Sequence, residues 1–221
     1  MIPLIHDFDG ETVLVFGGGT VGARKARRFD REARVIVVSP TFADADFGAS
    51  ERLRAAPGPD DVSAWLDAAA PALTVAATDD REVNAAVERA ATARGLLVNR
   101  ADRSGDRGPT GVVVPATVED DPVSVAVTTG GTSPAVSRRL RREMESVVDG
   151  AGAVATVVGE LRTELKAEGV DPNARRDAVR AVAESPAVWA AARTGDAGTE
   201  TAVRDAADRV LADEDELGGE D

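Results

Sequence analysis

Three glycines near the N-terminus have the spacing of a phosphate-binding turn. Gly17, Gly19 and Gly22 follow the pattern G-x-G-x-x-G, between an apolar run and a helical pattern. In such a turn the first glycine allows a sharp bend, the second lets a pyrophosphate approach the main chain, and the third lets the helix pack on the strand. The helix N-terminus then favours the anion, because its N–H groups are free and its dipole is positive there. The pattern predicts dinucleotide binding, with a purely structural turn as the alternative.

The elements that must position this turn form a βαβ unit. The hydrophobic pattern predicts buried strands at Thr12–Phe16 and Arg34–Val38, with a helix at Thr20–Phe29 between them. The next strand, helix and strand are predicted at Leu73–Ala77, Arg81–Arg94 and Gly95–Asn99. This alternation of strands and helices predicts an α/β fold with an open parallel sheet.

Polar residues follow the predicted strands at the edge where a ligand would lie. The carboxyl ends of the strands line the ligand crevice of an open parallel sheet. Thr78 and Asp79 follow one such strand and are expected to face the cofactor, although Asp79 or Asp80 could instead cap the next helix. Asp102 lies in a charged loop, Arg100 to Pro109, that leaves the same edge. Its position makes it a candidate acid or base, with a solvated loop carboxylate as the alternative.

Ser39 and Pro40 follow the second predicted strand, where many NAD-binding units carry an acidic residue for the ribose hydroxyls. Ser39 or the following loop is therefore expected to hold the adenosine ribose. No arginine stands at this dipeptide to neutralise a 2′-phosphate, which favours NAD over NADP.

The second half of the chain combines a predicted hairpin, a second glycine turn and helices. Valine-rich runs at Val112–Val118 and Val123–Thr128 predict a β-hairpin. A glycine pair then precedes a helix that has Ser133 as its N-cap and Pro134 at its first position. This helix start is a second candidate anion site, whereas its arginines could equally form a solvated or dimer-facing surface. Further helices are predicted at Val154–Ala167, Asn173–Glu184 and Glu200–Ala212.

The composition limits the possible functions and compartments. The 221 residues carry a formal net charge of −13, which argues against a nucleic-acid surface. With no cysteine and one histidine, His6, disulfides and thiol catalysis are excluded and no metal site is expected. The acidic, lysine-poor composition resembles that of proteins from salt-loving organisms, with a high-GC genome as the alternative. No apolar run is long enough to span a membrane and no signal peptide is found, so the cytoplasm is expected. The apolar residues of Met1–Asp9 are expected to pack against the sheet.

Several of these segments together resemble the precorrin-2 dehydrogenase family, the N-terminal module of siroheme synthases. The resemblance rests on VLVFGGGTVGARKA, VVSP, VAATDDREVNAAV, GLLVN followed by Asp102, VVPA and VAVTTGGTSPAVSRRLRREME, in this order. It is close over Met1–Val148 and loose beyond. It implies a Rossmann-type NAD-binding domain at residues 1–110, a strand-and-helix dimerisation region at 111–149 and a helical domain at 150–212, with an acidic tail at 213–221. The implied assembly is a homodimer.

The same resemblance implies a reaction and a set of site residues. The reaction is the NAD-dependent oxidation of precorrin-2 to sirohydrochlorin, with Asp102 as the catalytic aspartate. The implied cofactor contacts are Gly17, Gly18, Gly19, Thr20, Val21, Gly22, Ser39, Pro40, Thr78 and Asp79. The donors available for a carboxylate-rich substrate are Arg100, Arg103, Arg107, Gly130, Gly131, Thr132, Ser133 and Arg138.

One departure from the family pattern concerns the catalytic segment. Members commonly read Asn-Val-Val-Asp, whereas Arg100 and Ala101 stand between Asn99 and Asp102 here. Arg100 is expected to lower the pKa of Asp102 if the two side chains meet. Two alternatives remain open: an enzyme that also inserts ferrous iron, and a non-catalytic NAD-sensing module.

Overall fold

The computed structural model describes residues 2–103, 108–194 and 198–218, with the backbone alone for 213–218. The chain divides into two compact units. One comprises Met1–Val114 with Gly130–Thr132, and the other comprises Pro115–Thr129 with Ser133–Asp221. Arg107, one of the predicted substrate donors, lies outside the described residues.

The first unit is built on a parallel sheet, as the sequence predicts. Its strands are β1 (Thr12–Phe16), β2 (Arg34–Ser39), β3 (Glu51–Arg54), β4 (Leu73–Ala76) and β5 (Leu97–Arg100), in the spatial order β3-β2-β1-β4-β5. Its helices are α1 (Thr20–Phe29), α2 (Val62–Ala69) and α3 (Arg81–Ala93). The α/β class is therefore confirmed, and β1 and α1 have the predicted bounds.

Both faces of the sheet are buried, which explains the continuous apolar runs of its strands. Leu14 and Phe16 of β1 pack in a cluster with residues of α2 and α3. Val13 and Val15 point to the opposite face, where they share a cluster with Ala23 and Ala26 of α1. All six of these residues are buried, so the glycine turn follows a strand that is packed on both faces.

The strand β3 was not predicted. It forms the edge of the sheet, and three of its four residues, Glu51, Arg52 and Arg54, are exposed. Charged residues on edge strands oppose further strand pairing. The same charges conceal the strand from a search for apolar alternation.

The expected packing of the N-terminal segment is wrong for its first residues. Ile2, Leu4 and Ile5 are exposed, whereas Phe8 packs on Phe29 with ring centroids 5.3 Å apart. Helices cover both faces of the sheet, so little of it is left for this segment to cover. Phe8 is the residue of the segment that packs against the core.

The second unit begins with an antiparallel hairpin, β6 (Ala116–Asp120) and β7 (Val123–Val127). Its helices are α4 (Pro134–Val148), α5 (Ala151–Ala167), α6 (Pro172–Glu184), α7 (Pro186–Ala192) and α8 (Thr199–Gly218). The short helix α7 was not predicted, and α8 continues beyond the predicted end at Ala212. The buried residues Val157, Leu161 and Val203 belong to the core of these helices. No helix among the described residues is long and apolar enough to cross a bilayer.

The hairpin starts later than predicted, because the residues before it are used elsewhere. Val98 of β5 donates its N–H to the carbonyl of Thr110, and Val112 donates its N–H to the carbonyl of Val98. A parallel bridge joins Val98 and Gly111. The run from Val112 therefore lies beside β5, and β6 begins at Ala116.

Candidate functional site

Two glycines of the turn are required by the packing of the chain itself. Gly17 has φ +116°, and a Cβ there would lie 2.3 Å from the carbonyl oxygen of Ala77. A Cβ on Gly22 would lie 1.9 Å from the carbonyl oxygen of Gly17. The first contact joins the ends of β1 and β4, and the second joins α1 to the turn. At these positions the structural and the functional explanations of the motif agree.

Gly19 differs, because nothing in the chain requires a glycine there. Its backbone is extended, with φ −77° and ψ −178°, which any residue adopts. No heavy atom of the described residues would lie within 4 Å of a Cβ at this position. The first hydrogen bond of α1 runs from the N–H of Ala23 to the carbonyl of Gly19, so the preceding N–H groups have no partner within the helix. The arrangement fits a pyrophosphate on the open side of Gly19, close to Thr20 and the exposed Val21.

The turn also rests on the segment after β2, where the adenosine ribose is expected. Gly17 donates its N–H to the carbonyl of Val38 at 3.0 Å. A Cβ on the buried Gly18 would lie 2.8 Å from the Cβ of Ser39. Ser39 is 6% exposed and Pro40 is exposed. Through these contacts the segment after β2 lies against the glycine turn. The strand β3, which sequence reasoning missed, pairs Arg54 with Ser39 and so brings an exposed arginine to this end of the site.

At the end of β4 a network of hydrogen bonds shapes the turn into α3. Asp80 caps the helix by accepting from the N–H groups of Glu82 (2.7 Å) and Val83 (3.2 Å). The fully buried Asn84 donates to the carbonyl of Thr78 at 2.8 Å, and its Oδ1 accepts from the N–H and hydroxyl of Thr78. The hydroxyl of Thr78 therefore helps to fix the turn.

The cap and the candidate ligand contact thus fall on different residues. Asp80 is the N-cap, and Asp79 is exposed beside it. Asn84 was missed by the sequence reasoning. A polar residue on the apolar face of a helix, between Val83 and Ala86, was the signal that could have identified it.

Asp102 lies in a charged cluster that is centred on Arg100. Arg100 donates from Nε to Oδ1 of Asp102 at 2.8 Å and from Nη2 to Oδ2 at 2.7 Å. Its Nη1 donates to Oε2 of Glu88, on α3, at 3.0 Å. Arg103 pairs with the other carboxylate oxygen of Glu88. The side chain of Arg100 is 8% exposed and that of Asp102 is 21% exposed, so solvent screens their ion pair weakly.

These contacts define the ionisation of the candidate base. The hydrogen bonds from Arg100, and then its charge, lower the pKa of Asp102 against the opposing effect of burial, and the side chain of Asn84 lowers it further. The expectation that Arg100 lowers this pKa is confirmed. Asp102 is accordingly a carboxylate at neutral pH and a weak proton acceptor while Arg100 holds both of its oxygens. Glu88 was missed, because its distance in sequence from Arg100 hides the pairing.

The second glycine turn has the predicted cap. The hydroxyl of Ser133 accepts from the N–H of Val136 at 3.4 Å, and Pro134 is the first residue of α4. The hydroxyl of Thr129 accepts from the N–H of Ser133 at 3.1 Å and donates to its carbonyl at 3.0 Å. Gly130 and Gly131 have φ +65° and +89°, conformations that favour glycine. Thr132 and Arg138 are exposed.

The structure brings many of the predicted residues to one edge of the parallel sheet. The strand ends of the first unit carry Gly17 to Gly22, Ser39, Thr78, Asp79, Arg100 and Asp102. Ser133 and Arg138 belong to the second unit. The edge of the sheet thus carries N–H groups that α1 leaves without a helical partner and, two strands away, an ionised carboxylate.

Two protein families match successive parts of the chain. The family described as putative NAD(P)-binding matches residues 4–116. The family described as sirohaem biosynthesis protein central matches residues 120–146. These matches agree with the family resemblance predicted from the sequence motifs.

Individual proteins show the same likeness. Siroheme synthase 1 of Aeromonas salmonicida is 34% identical over 99% of this chain and 46% of that protein. Siroheme synthase of Chromobacterium violaceum is 37% identical over 83% of this chain and 39% of that protein. The chain therefore spans less than half the length of these curated relatives. The solved structure of SirC, precorrin-2 dehydrogenase, superimposes with a TM-score of 0.64 at 22% identity, covering 96% of this chain and 100% of that chain, a likeness that shows the fold.

The two kinds of glycine lead to a first prediction. Gly19→Leu should fold normally, because its Cβ enters open space and its backbone is unstrained. The side chain should obstruct the pyrophosphate and weaken NAD binding by roughly 10- to 100-fold, the loss expected when a hydrogen bond to a charged group is removed. Calorimetric titration with NAD measures this change.

The control for Gly19 is Gly22→Ala. Its Cβ would meet the carbonyl of Gly17, so the variant should lose about 1–3 kcal/mol of unfolding free energy through overpacking. Normal NAD binding by Gly19→Leu would show that no ligand uses the space in front of Gly19.

A second prediction concerns pH. Because the folded state lowers the pKa of Asp102, its contribution to stability is complete above the unfolded pKa of about 3.9 and is lost as pH falls through the lower folded value. Asp102→Asn lacks this contribution. The difference in unfolding free energy between wild type and variant, measured with denaturant at fixed salt, should be constant near neutral pH and shrink below about pH 4. A difference that is the same on both sides of that value would contradict the ion pair.

Proposed function

The chain belongs to the putative NAD(P)-binding family, and we propose that its activity is the NAD-dependent oxidation of precorrin-2 to sirohydrochlorin in siroheme biosynthesis. The observation that carries the proposal is one edge of a parallel sheet with two features. It holds an open glycine turn at Gly19, and it holds an ionised carboxylate, Asp102, near the end of β5. An oxidation that removes a hydride and a proton needs an acceptor for each.

The residues of the first unit divide this work. The bound nicotinamide would supply the hydride acceptor. Gly17 to Gly22 and the N-terminus of α1 hold the pyrophosphate, and Ser39 with Pro40 borders the adenosine. Thr78 and Asp79 border the nicotinamide end. Asp102 receives or steers the proton that leaves the substrate.

Arg100 determines how Asp102 performs that role. Both carboxylate oxygens accept hydrogen bonds from Arg100, so Asp102 takes a proton when one of these bonds opens. Until then it is a fixed negative charge, which would stabilise positive charge on the macrocycle. Arg100 is already paired with two carboxylates and acts as a support for Asp102. Within the first unit, the more exposed Arg103 is better placed to receive a substrate carboxylate. Arg138 of the second unit is exposed and stays a candidate donor by its place in the sequence.

The proposal is tested by anaerobic incubation of the protein with precorrin-2 and NAD, followed by addition of ferrous iron. Formation of NADH together with the spectrum of sirohydrochlorin would support it. NAD binding without turnover would instead favour a nucleotide-sensing module. A further change to the siroheme spectrum after iron is added, faster than without protein, would identify a bifunctional dehydrogenase and chelatase.

NAD is the proposed working cofactor, and NADP turnover should be slower at equal concentration. Ser39-Pro40 provides no cation for a 2′-phosphate, and the loop that follows carries Asp44 and Asp46. Arg54, which lies opposite Ser39 in the pairing of β2 with β3, is the cation nearest to this position in the sheet register and could bind a 2′-phosphate. Comparable rates with NAD and NADP that separate in Arg54→Ala would show that Arg54 supplies a 2′-phosphate site, and the preference would then be wrong.

Asp102→Asn should lower turnover while NAD binding persists. The variant keeps the size of the side chain but removes the proton acceptor, and general-base contributions are about 10²- to 10⁴-fold. Steady-state rates and NAD titrations measure the two effects. A loss of two- or three-fold would mean that solvent or a substrate carboxylate takes the proton.

The matched control is Asp67→Asn. Asp67 accepts two hydrogen bonds from Arg94, at 2.9 and 3.2 Å, in the same bidentate geometry as Asp102 with Arg100. The pair joins the ends of α2 and α3, away from the carboxyl edge of the sheet. Equal damage from the two variants would point to a general effect of breaking a bidentate pair, and Asp102 would lose its catalytic assignment.

A homodimer, with the dimerisation region at 111–149, is part of the proposal. Helix α4 exposes Val136, Leu140 and Val147, which recur at the spacing of one helix face. A second copy covering this face would bury the apolar side chains. A cytoplasmic, salt-adapted setting completes the proposal, because the chain is acidic and poor in lysine.

The dimer should be stable in high salt and loosen as salt is removed. The net charge of −13 repels its copy over a Debye length that grows from about 3 Å at 1 M salt to 30 Å at 0.01 M. Sedimentation velocity measures the change, and an unchanged profile would count against the salt adaptation. Leu140→Glu should give a monomer even in high salt, whereas Ile5→Glu, at a still more exposed apolar position outside α4, should not.

A further inference from the structure

One buried polar atom in the first unit has no partner. Asn99 is 5% exposed, and its Nδ2 donates to the carbonyl of Val112 at 2.8 Å. Its Oδ1 is buried and accepts no hydrogen bond from the described residues. Buried amide oxygens in native proteins are almost always paired, so this acceptor calls for a partner that the chain itself does not supply.

The surroundings of Asn99 give no structural reason for the open acceptor. Its neighbours in β5 are Leu97 and Val98, which pack in the two apolar clusters of the sheet. The bond to Val112 accounts for the donor of the amide and fixes its orientation. The carbonyl of Val112 therefore explains why this position carries a donor. It does not explain why the position also carries an acceptor.

The register of the sheet places Asn99 next to the ligand edge. Asn99 lies opposite Val75 of β4, and Val75 lies opposite Val15 of β1, two residues before Gly17. Asn99 is therefore one residue inside the edge that carries Arg100 and the glycine turn. Two strand spacings separate β5 from β1, roughly 10 Å.

The direction of a dinucleotide across this edge follows from the same register. The sheet order is β3-β2-β1-β4-β5, and the crevice opens between β1 and β4, where the strand order reverses. With the pyrophosphate at α1 and the adenosine beside Ser39 of β2, the nicotinamide end extends over β4 and β5. The carboxamide of that ring has an NH2 group, which is a donor.

We propose that Asn99 recognises the carboxamide of the nicotinamide, with its Oδ1 accepting a hydrogen bond from the NH2 group while the bond to Val112 holds the amide in place. This contact would distinguish a carboxamide from a carboxylate, since a carboxylate presents acceptors alone. The inference rests on the proposed nicotinamide cofactor and is independent of precorrin-2 as the substrate.

The test is a comparison of dissociation constants, without turnover. Three ligands are titrated calorimetrically: NAD, its deamido analogue with a carboxylate in place of the carboxamide, and ADP-ribose, which lacks the ring. Wild-type protein should bind NAD about tenfold more tightly than the analogue. In Asn99→Leu, NAD affinity should fall roughly 3- to 10-fold, the effect of one hydrogen bond, while ADP-ribose affinity is unchanged and the preference over the analogue is lost.

Two further variants keep the test decisive. Asn99→Asp retains an acceptor but loses the donor to the carbonyl of Val112, so it should bind NAD less tightly than wild type and still prefer the carboxamide over the carboxylate. Thr74→Val is the matched control, because it removes another buried polar group of the same two strands, a hydroxyl that donates to the carbonyl of Leu97 at 3.3 Å. It should leave the ratios among the three ligands unchanged.

Either of two results would overturn the inference. A wild-type protein that binds NAD and the analogue equally would show that Oδ1 does not receive the carboxamide. Equal loss for all three ligands in Asn99→Leu would show that the residue supports the fold. Both results are independent of precorrin-2 oxidation, so a failure of this contact and a failure of the proposed reaction are told apart.

Discussion

The close approach of two strand ends is the constraint on which the site depends. The backbone at Gly17 passes so near the carbonyl of Ala77 that a Cβ has no room, and Ala77 donates its N–H to the carbonyl of Phe16 at 2.8 Å. Because β1 and β4 meet in this way, the glycine turn and the Thr78 turn share one edge. A larger residue at Gly17 would separate them. The buried, two-sided packing of β1 makes that separation unfavourable and so holds the geometry.

Arg100 has a comparable role among the charged groups. It stands between Glu88 of α3 and Asp102, with its own side chain almost completely buried. Removing either carboxylate would leave part of a desolvated charge without its partner, which is costly in a buried pair. The cluster ties the segment after β5 to α3 and keeps Asp102 ionised. The arginine therefore adds precision to the position of Asp102 and reduces its strength as a base.

The parts of the fold that sequence predicted are those with local signals. The apolar run of β1, the glycines and the helical pattern of α1 are contiguous, so their bounds were predicted correctly. The edge strand β3 was missed, because its side chains are charged and its pairing with β2 is a tertiary contact. The start of the hairpin was misplaced for a similar reason, since pairing of the Thr110–Val112 segment with β5 overrides its β-hairpin pattern.

The site divides in the same way. Glycine spacing identified the turn, but it could not separate Gly17 and Gly22, which the packing requires, from Gly19, which it does not. Arg100 was recognised as a neighbour of Asp102 in sequence, and its contact was predicted. Glu88 and Asn84 come from the preceding helix, and the orphan oxygen of Asn99 depends on what surrounds it. Such roles are set by three-dimensional contacts that spacing in one chain does not specify.

Local charge explains how so acidic a chain can hold an anionic cofactor. The net charge is −13, yet α1, whose N-terminus faces the proposed pyrophosphate, carries Arg24, Lys25, Arg27 and Arg28 and no acidic residue. Burial, and then the charges of Arg24 and Arg28, together lower the pKa of Lys25 to about 8. The two arginine charges thus act on Lys25 from within the same helix. Arg27 and Arg28 lie in the last turn, so it is the nearer Arg24 whose charge adds to the dipole at the N-terminus, while salt screens the more distant surface carboxylates.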